Sequence, residues 1–72
     1  MKIYDAKTFG EAIKIRRKKL HYTQTMLSDN SGLSVSFISD LENGKPTAEL
    51  GKVLLIANLL GLDCELNERG EK

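Results

Sequence analysis

The sequence predicts a small all-α domain of four to five helices, followed by one short β-strand near the C-terminus. Apolar residues recur at helical spacing along most of the chain, and capping residues and glycines mark where helices begin and end. After Gly61 the apolar residues alternate with polar ones, which indicates a half-buried strand at residues 62–67. The chain has 72 residues, close to the smallest length that one hydrophobic core can support, so we expect a single domain over residues 1–72.

The first helix is expected to run from Thr8, its N-cap, to about Leu20. Thr8 and Glu11 match a capping box, in which two polar side chains three residues apart satisfy free backbone N–H groups. The core-facing stripe at helical spacing comprises Phe9, Ala12, Ile13, Arg17 and Leu20. Cations fill the last turns of this helix, where the negative end of the helix dipole favours them.

Residues 23–44 are predicted to form two short helices joined by a tight turn. The signals are, in chain order, an N-cap at Thr23, a helix to about Asn30, a turn at Gly32, an N-cap at Ser34, and a helix from Val35 to Asn43 that ends before Gly44 and Pro46. The apolar residues expected to face each other and a shared core are Leu27, Leu33, Ile38 and Leu41. This is the layout of a helix-turn-helix, whose second helix enters the major groove of DNA.

A further helix is predicted with Thr47 as its N-cap and Gly61 as its stop. Its expected buried face consists of Leu50, Val53, Leu54, Ala57 and Leu60. Leu55, Ile56 and Leu59 make the helix apolar over more than one face. We therefore expect a second surface to be covered as well, by the N-terminal segment or by another subunit.

The tail requires a partner, because a lone strand cannot satisfy its backbone hydrogen bonds. Its inner face would carry Leu62, Cys64 and Leu66, the residues expected to mediate dimerisation. The segment Lys2-Ile3-Tyr4 is the other strand candidate within the chain. The same tail from a second copy is the alternative, and it would build a dimer around a shared sheet.

Composition limits the possible functions. The net charge of +1 does not by itself indicate a nucleic-acid binder, although cations cluster between Lys14 and Lys19. The single cysteine excludes an intrachain disulfide and fits a reducing cytosol. We find no metal-ligand set, nucleophile–base pair or phosphate-binding glycine loop, so neither a metal, a cofactor nor an enzyme is expected. With no signal-peptide pattern and no apolar run long enough to span a bilayer, we expect a cytoplasmic, nucleoid-associated protein.

The spacing of residues 23–45 closely resembles the Xre/phage-repressor family of helix-turn-helix proteins. The residues that carry the resemblance are Thr23-Gln24, Leu27, Gly32, Ser34, Ile38, Leu41 and Glu42-Asn43-Gly44-Lys45. Ser28 and Ser31 depart from the pattern, since the family prefers alanine at both positions. Together with Asp29 and Asn30 they form a run of poor helix formers, so we expect a locally weak second helix.

Within that group the chain is similar to the HipB-type antitoxins. The run from Phe37 to Thr47, followed by Leu50–Val53 and Leu60–Leu62, carries this similarity, which extends over residues 8–66. It implies a lambda-repressor-like fold and a homodimer whose C-terminal strands pair, with the dimer binding palindromic operator DNA and repressing its own operon. It also implies a HipA-like kinase toxin as a partner. A stand-alone Xre-type regulator and a purely protein-interacting helical module are the alternatives.

The second helix of the motif offers four base-reading residues: Val35, Ser36, Ser39 and Asp40. Valine can contact a thymine methyl group, and serine can donate to or accept from several bases. Asp40 can accept a hydrogen bond from a cytosine amino group, or it can repel phosphates and so exclude wrong sites. Modest sequence information per half-site is expected from such permissive readers.

Phosphate contacts are expected to supply much of the affinity. The candidates are Thr23, Gln24, Ser34, Asn43, Lys45 and Arg16. The resemblance places Gln24 beside a phosphate, where the free N–H groups at its helix start would add to the site. It also implies an ion pair inside the fold between Arg17 and Glu42, which agrees with the position of Arg17 on the apolar stripe.

Overall fold

The computed structural model describes residues 1–70, and in this range the chain forms four α-helices. They are α1 (Ala6–Lys19), α2 (Gln24–Ser31), α3 (Val35–Glu42) and α4 (Leu50–Leu59). Helices α1 and α2 both pack against α3, and α2 also contacts α4. The predicted all-helical fold is therefore confirmed, and α2 and α3 are the two helices predicted for the helix-turn-helix.

One hydrophobic core draws on all four helices. Its buried residues are Ile13, Leu27, Ile38, Leu41, Val53, Ile56, Ala57 and Leu60. The buried face predicted for α4 was partly wrong. Leu50 is 68% exposed and Ile56 is fully buried. The core-facing positions are Val53, Ile56 and Ala57 on α4 and Leu60, its C-cap residue. Leu50 lies in the first turn of the helix and lines an open apolar groove together with Tyr4.

The N-terminal cap of α1 also differs from the prediction. Asp5, rather than Thr8, is the N-cap: its Oδ1 accepts a hydrogen bond of 2.8 Å from the Thr8 backbone N–H. Thr8 completes the box, since its Oγ1 accepts from the Asp5 backbone N–H at 3.1 Å, and Glu11 takes no part. An aspartate is as good an N-cap as threonine, and its charge suits the positive end of the helix dipole. The hydrogen bond from the Thr8 backbone lowers the pKa of Asp5.

Helix α4 starts later than predicted. Thr47 lies in a turn rather than at an N-cap, and Glu49 occupies the N-cap position of α4 without a side-chain capping bond. The half-buried Ala48 packs against the core between these two residues. The chain therefore has to run further along the core before it can begin the helix.

Three of the described helices end with the same hydrogen-bond pattern, in which a residue with positive φ lets the chain fold back. Gly44 after α3 and Gly61 after α4 have φ of 84° and 70°. His21 takes this position after α1 with φ of 61°, the one non-glycine residue with positive φ in the described range. The His21 N–H donates to the Lys18 carbonyl and the Tyr22 N–H to the Arg17 carbonyl, each at 3.0 Å. Such a pair of bonds satisfies the last carbonyls of each of the three helices.

The strand predicted at residues 62–67 is not present in the described chain. No β-strand forms anywhere in residues 1–70, and the segment 2–4 does not pair with the tail. Leu62 serves the end of α4 instead: its N–H donates to the Ala57 carbonyl at 2.9 Å, and its side chain packs against the core. Cys64 and Leu66 are exposed. A strand exists only through hydrogen bonds to a neighbour, and this range of one chain supplies none.

Gly10 permits a close crossing of α1 over the end of α3. A Cβ at this position would overlap the carbonyl oxygen of Leu41 and lie 2.9 Å from that of Glu42. We expect Gly10→Ala to lower the free energy of unfolding by about 1–3 kcal/mol, because backbone must shift to make room. Thermal unfolding followed by circular dichroism would measure the change.

Gly51 provides the matched control for this substitution. A Cβ at Gly51 would meet nothing within 4 Å, and the residue lies inside α4. Gly51→Ala should therefore raise the free energy of unfolding by up to about 1 kcal/mol. Equal effects of the two substitutions would contradict the close crossing at Gly10.

Candidate nucleic-acid interface

Helix α3 presents one outer face to solvent. Ser34 caps it, since its Oγ accepts a hydrogen bond of 3.0 Å from the Phe37 N–H. Val35 is 39% exposed and Ser36 is exposed, while Ser39 and Asp40 are half-buried. The opposite side of the helix carries the buried Ile38 and Leu41 and the half-buried Phe37. The structure therefore brings the four predicted base-reading residues together on one face.

The start of α2 is tied to the end of α3. Thr23 caps α2 through an Oγ1 that accepts from the Met26 N–H at 3.0 Å. The half-buried Gln24 donates from Nε2 to Glu42 Oε1 at 3.1 Å. It is therefore not a fully exposed residue at the start of its helix. A primary amide has a second N–H and an oxygen, which remain the groups that Gln24 can use toward a phosphate.

Arg17 and Glu42 form a buried, bidentate ion pair between α1 and α3. Arg17 Nε donates to Glu42 Oε2 at 2.6 Å and Arg17 Nη2 donates to Glu42 Oε1 at 2.9 Å. The side chains are only 9% and 2% exposed. A further bond of 2.9 Å joins Arg17 Nη1 to the Tyr22 carbonyl, so the same guanidinium also fixes the connection from α1 to α2.

The environment of this pair changes both pKa values. Hydrogen bonding to Glu42 raises the pKa of Arg17, although burial opposes this effect. Burial by itself would raise the pKa of Glu42. The hydrogen bonds from Arg17 and Gln24, with the positive charges of Arg17 and Lys14, outweigh it and lower that pKa below its ordinary value of 4.5. Both groups are therefore charged at neutral pH.

The remaining predicted phosphate contacts divide into two places. Asn43 and Lys45 follow α3, where Asn43 Nδ2 lies 3.5 Å from Ser39 Oγ and Lys45 Nζ lies 3.4 Å from Asp40 Oδ2. Arg16 lies elsewhere: its Nε donates to the Leu60 carbonyl at 2.8 Å and so caps the C-terminal end of α4. The structure thus groups five of the six candidates on the α2–α3 unit and assigns Arg16 a bond within the fold.

The turn between α2 and α3 contains two polar contacts that the sequence reasoning missed. Ser28 Oγ donates to the Leu33 carbonyl at 2.6 Å, and Ser31 Oγ accepts from the Leu33 N–H at 3.1 Å. These serines were expected only to weaken α2. Their hydroxyls instead fix Leu33, which immediately precedes the N-cap of α3. Serine side chains often form hydrogen bonds with nearby backbone groups, and this tendency could have predicted both contacts. The expected local weakness of α2 stays a prediction.

Two further features concern the described part of the chain as a whole. Within residues 1–70, no three His, Cys, Asp or Glu side chains are grouped closely enough to hold a metal ion. None of the four described helices combines the length and apolar character needed to cross a bilayer.

Comparison with known proteins gives a consistent family relationship. The Helix-turn-helix family HTH_3 matches residues 13–67. The chain is 40% identical over 63 residues to the uncharacterized HTH-type transcriptional regulator y4mF of Sinorhizobium fredii, a match that covers 88% of this chain and 83% of the relative. It is 36% identical over 62 residues to the ImmF control region 10 kDa protein of Bacillus phage phi105, covering 86% and 69% of the two chains.

Solved structures similar to this one include complexes of HipB. A HipB–O4 20mer complex matches with a TM-score of 0.87 at 28% identity, covering 96% of this chain and 97% of that one. A HipA–HipB–O2–O3 complex matches with the same TM-score and identity. Similarity over nearly the full length of both chains shows that the HipB fold is the fold of this chain.

The Arg17–Glu42 pair makes stability sensitive to either partner. We expect Arg17→Ala to lower the free energy of unfolding by about 3–5 kcal/mol, because it leaves a buried carboxylate without its partner. Lys18→Ala, at the exposed neighbouring position, should change it by about 0.5 kcal/mol or less. Chemical denaturation would measure both values, and an unchanged midpoint for Arg17→Ala would contradict a stabilising role for the pair.

The lowered pKa of Glu42 predicts loss of stability in acid. Because this pKa is lower in the folded chain, the ionised carboxylate contributes its full stabilisation above pH 4.5 and loses it as pH falls through the folded value. The melting temperature should therefore fall as the pH is lowered below 4.5. Glu42→Gln should flatten this acid limb while Asp5, whose pKa is also lowered, retains part of it. Acid limbs of equal steepness in the two proteins would refute the assignment.

Proposed function

The chain belongs to the Helix-turn-helix family HTH_3 as a transcriptional regulator of the Xre type, and we propose that it is a sequence-specific repressor that binds operator DNA as a homodimer. The observation that carries this proposal is the outer face of α3, which holds Val35, Ser36, Ser39 and Asp40 on a helix held at both ends. Ser34 caps its start, and the ion pair of Glu42 with Arg17 holds its end against α1.

Recognition would combine permissive base contacts with phosphate contacts from both helices. Val35 and Ser36 lie in the first turn of α3, where helices of this motif meet base edges. Thr23 and Gln24 at the start of α2 would contact a phosphate on one side, and Lys45 after α3 would contact another. Because serine accepts several bases, each half-site would contribute limited discrimination, and two half-sites would be needed for a useful affinity.

A homodimer would supply the second reading helix. Leu55 and Leu59 on α4 are 41% and 42% exposed, and Leu66 in the tail is fully exposed. Burial of these exposed apolar side chains by a second copy of the chain would stabilise a dimer, which supports the homodimer. We place the exposed Cys64 and Leu66 of the tail at the contact with that copy, while Leu62 stays packed against the core of its own chain.

The more specific proposal is that the protein is the antitoxin and autorepressor of a HipBA-like system. The structural similarity to HipB, which is found in a complex with HipA, O2 and O3, supports a HipA-like kinase toxin as the partner. The similarity to y4mF favours a second candidate, a stand-alone Xre-type regulator with no toxin. DNA binding is common to both roles, so only the protein partner distinguishes them.

Binding to the region upstream of its own gene tests the DNA-binding role. We expect a footprint with two symmetric half-sites whose centres lie one helical turn apart, roughly 34–36 Å, because a dimer carries two reading helices. Affinity should fall steeply with salt as counterions return to the phosphates. A single unpaired half-site would contradict the symmetric dimer. Absence of salt-sensitive binding would favour a module that binds only proteins.

Purification of the tagged protein from cells that carry its native operon tests the antitoxin role. We expect a kinase-like protein encoded by the neighbouring gene to co-purify in a stable complex, together with operator DNA. The same purification with a variant altered at Ser36 and Ser39 should lose the DNA and keep the protein partner. Recovery of DNA with no second protein would favour the stand-alone regulator.

A further inference from the structure

Asp40 and Lys45 form an ion pair at the end of the proposed reading helix. Lys45 Nζ lies 3.4 Å from Asp40 Oδ2, and the two side chains are 56% and 48% exposed. The backbone joins the same two residues, since the Lys45 N–H donates to the Asp40 carbonyl at 3.0 Å. This hydrogen bond closes a loop of backbone between residues 40 and 45, and the two side chains extend from neighbouring points on that loop.

The loop that holds this pair has little freedom to open. Gly44 has φ of 84°, a conformation that other residues adopt only with strain. Lys7 on α1 lies against it: a Cβ on Gly44 would come within 2.9 Å of the Lys7 Cα atom. Changes in the contact between Asp40 and Lys45 must therefore come from their side chains, and the side-chain contact is exposed enough to exchange.

The pair joins the two kinds of DNA contact assigned above. Asp40 belongs to the proposed base-reading set, and Lys45 to the proposed phosphate contacts. Arg16 donates a hydrogen bond to the carbonyl of Leu60. Of the residues proposed to contact phosphates, Lys45 is then the remaining cation. Its charge is already balanced by a carboxylate on the face that would meet DNA. A phosphate must compete with Asp40 for this lysine.

We propose that Asp40 is a specificity-determining residue that acts through Lys45, an inference that rests on the proposed DNA-binding function. In the free protein Lys45 stays on Asp40. On DNA, Lys45 moves to a phosphate only where a base edge gives Asp40 a new hydrogen-bond donor, and the amino group of cytosine is the donor that suits a carboxylate. At other sites the exchange would leave a carboxylate without a partner beside phosphates, so Lys45 stays in place.

This exchange makes one phosphate contact conditional on the base sequence. At a matching site Lys45 neutralises a phosphate and a counterion is released. At a mismatched site the Asp40–Lys45 pair remains neutral and releases none. The salt dependence of binding should therefore differ between matching and mismatched DNA, and Asp40 should be the cause of the difference.

The test measures affinity by fluorescence anisotropy for two duplexes, the upstream region of the gene and a scrambled sequence, over a series of salt concentrations. Asp40→Asn should raise affinity for the scrambled duplex about two- to fivefold per subunit, the range expected for releasing an exposed ion pair. It should also steepen the slope of log K against log salt for that duplex by about 0.9 per subunit, because Lys45 then contacts a phosphate. The upstream duplex should show a smaller change.

A matched control and a double variant separate this mechanism from simple repulsion. Glu49 and Lys52 form a neighbouring exposed pair at 3.5 Å, and Glu49 makes no capping bond, so Glu49→Gln should leave the slope unchanged. In a Lys45→Gln background, Asp40→Asn should have no effect on the slope. If Asp40→Asn raises affinity equally in that background, Asp40 acts on the phosphates directly and the proposal is overturned.

The remaining outcomes distinguish the inference from the function on which it rests. Binding by the unaltered protein with the same slope in Asp40→Asn on both duplexes overturns the inference alone. Failure of the unaltered protein to bind either duplex at low salt overturns the proposed function and this inference together. Melting temperatures of all variants would show that the folded state is retained, as expected for exposed side chains.

Discussion

The position of α3, the proposed reading helix, depends on one buried ion pair. Arg17 on α1 contacts both oxygens of Glu42 at the end of α3, and it also bonds to the backbone of Tyr22 in the connection to α2. Gln24 joins the same carboxylate from the start of α2. Three helices therefore meet at one carboxylate. A planar guanidinium fixes direction as well as distance, so the angle between α1 and α3 is defined by hydrogen bonds in addition to apolar packing.

The ion pair acts beside a small hydrophobic core, so the loss of either partner would leave a buried charge that few apolar contacts could offset. Eight apolar residues are buried, and they come from all four described helices. Packing of this kind is tolerant of small rotations, whereas DNA recognition requires a defined helix orientation. The glycine crossing at Gly10 and the ion pair both lie where α1 meets the end of α3, so close backbone packing and charged hydrogen bonds act at the same junction.

Most of the fold could be read from the sequence, because helical spacing and short-range capping signals are local. The helix-turn-helix was located closely, since Thr23, Gly32 and Ser34 each perform the role their chemistry predicts. The prediction was wrong where two neighbouring residues could each cap a helix. Asp5 is the N-cap of α1 in place of Thr8. Helix α4 begins after Glu49 in place of Thr47, because Ala48 packs on the core. The strand predicted for the tail was wrong for another reason: a strand forms only through hydrogen bonds to a partner, and residues 1–70 of this chain provide none.

The candidate site was predictable in its membership and less so in its connections. The motif identified the residues of the outer face of α3, which follow from helical periodicity alone. It could not show that Arg16 bonds to the end of α4, or that Lys45 rests on Asp40, because long side chains choose partners only after the backbone has folded. The hydroxyls of Ser28 and Ser31 illustrate the same point. Both residues have low helix propensity, yet their hydroxyls form hydrogen bonds that hold the backbone of Leu33 in the turn.

His21 has a consequence for how this sequence can change. It occupies a left-handed backbone conformation that glycine adopts without strain, and its side chain is exposed. Replacing His21 with glycine would therefore raise the free energy of unfolding, and natural proteins commonly retain such stabilising substitutions unmade. Variation on the outer face of α3 that weakens the fold can be offset there. Substitutions that alter the proposed base contacts of α3 can therefore be accepted without loss of the folded state.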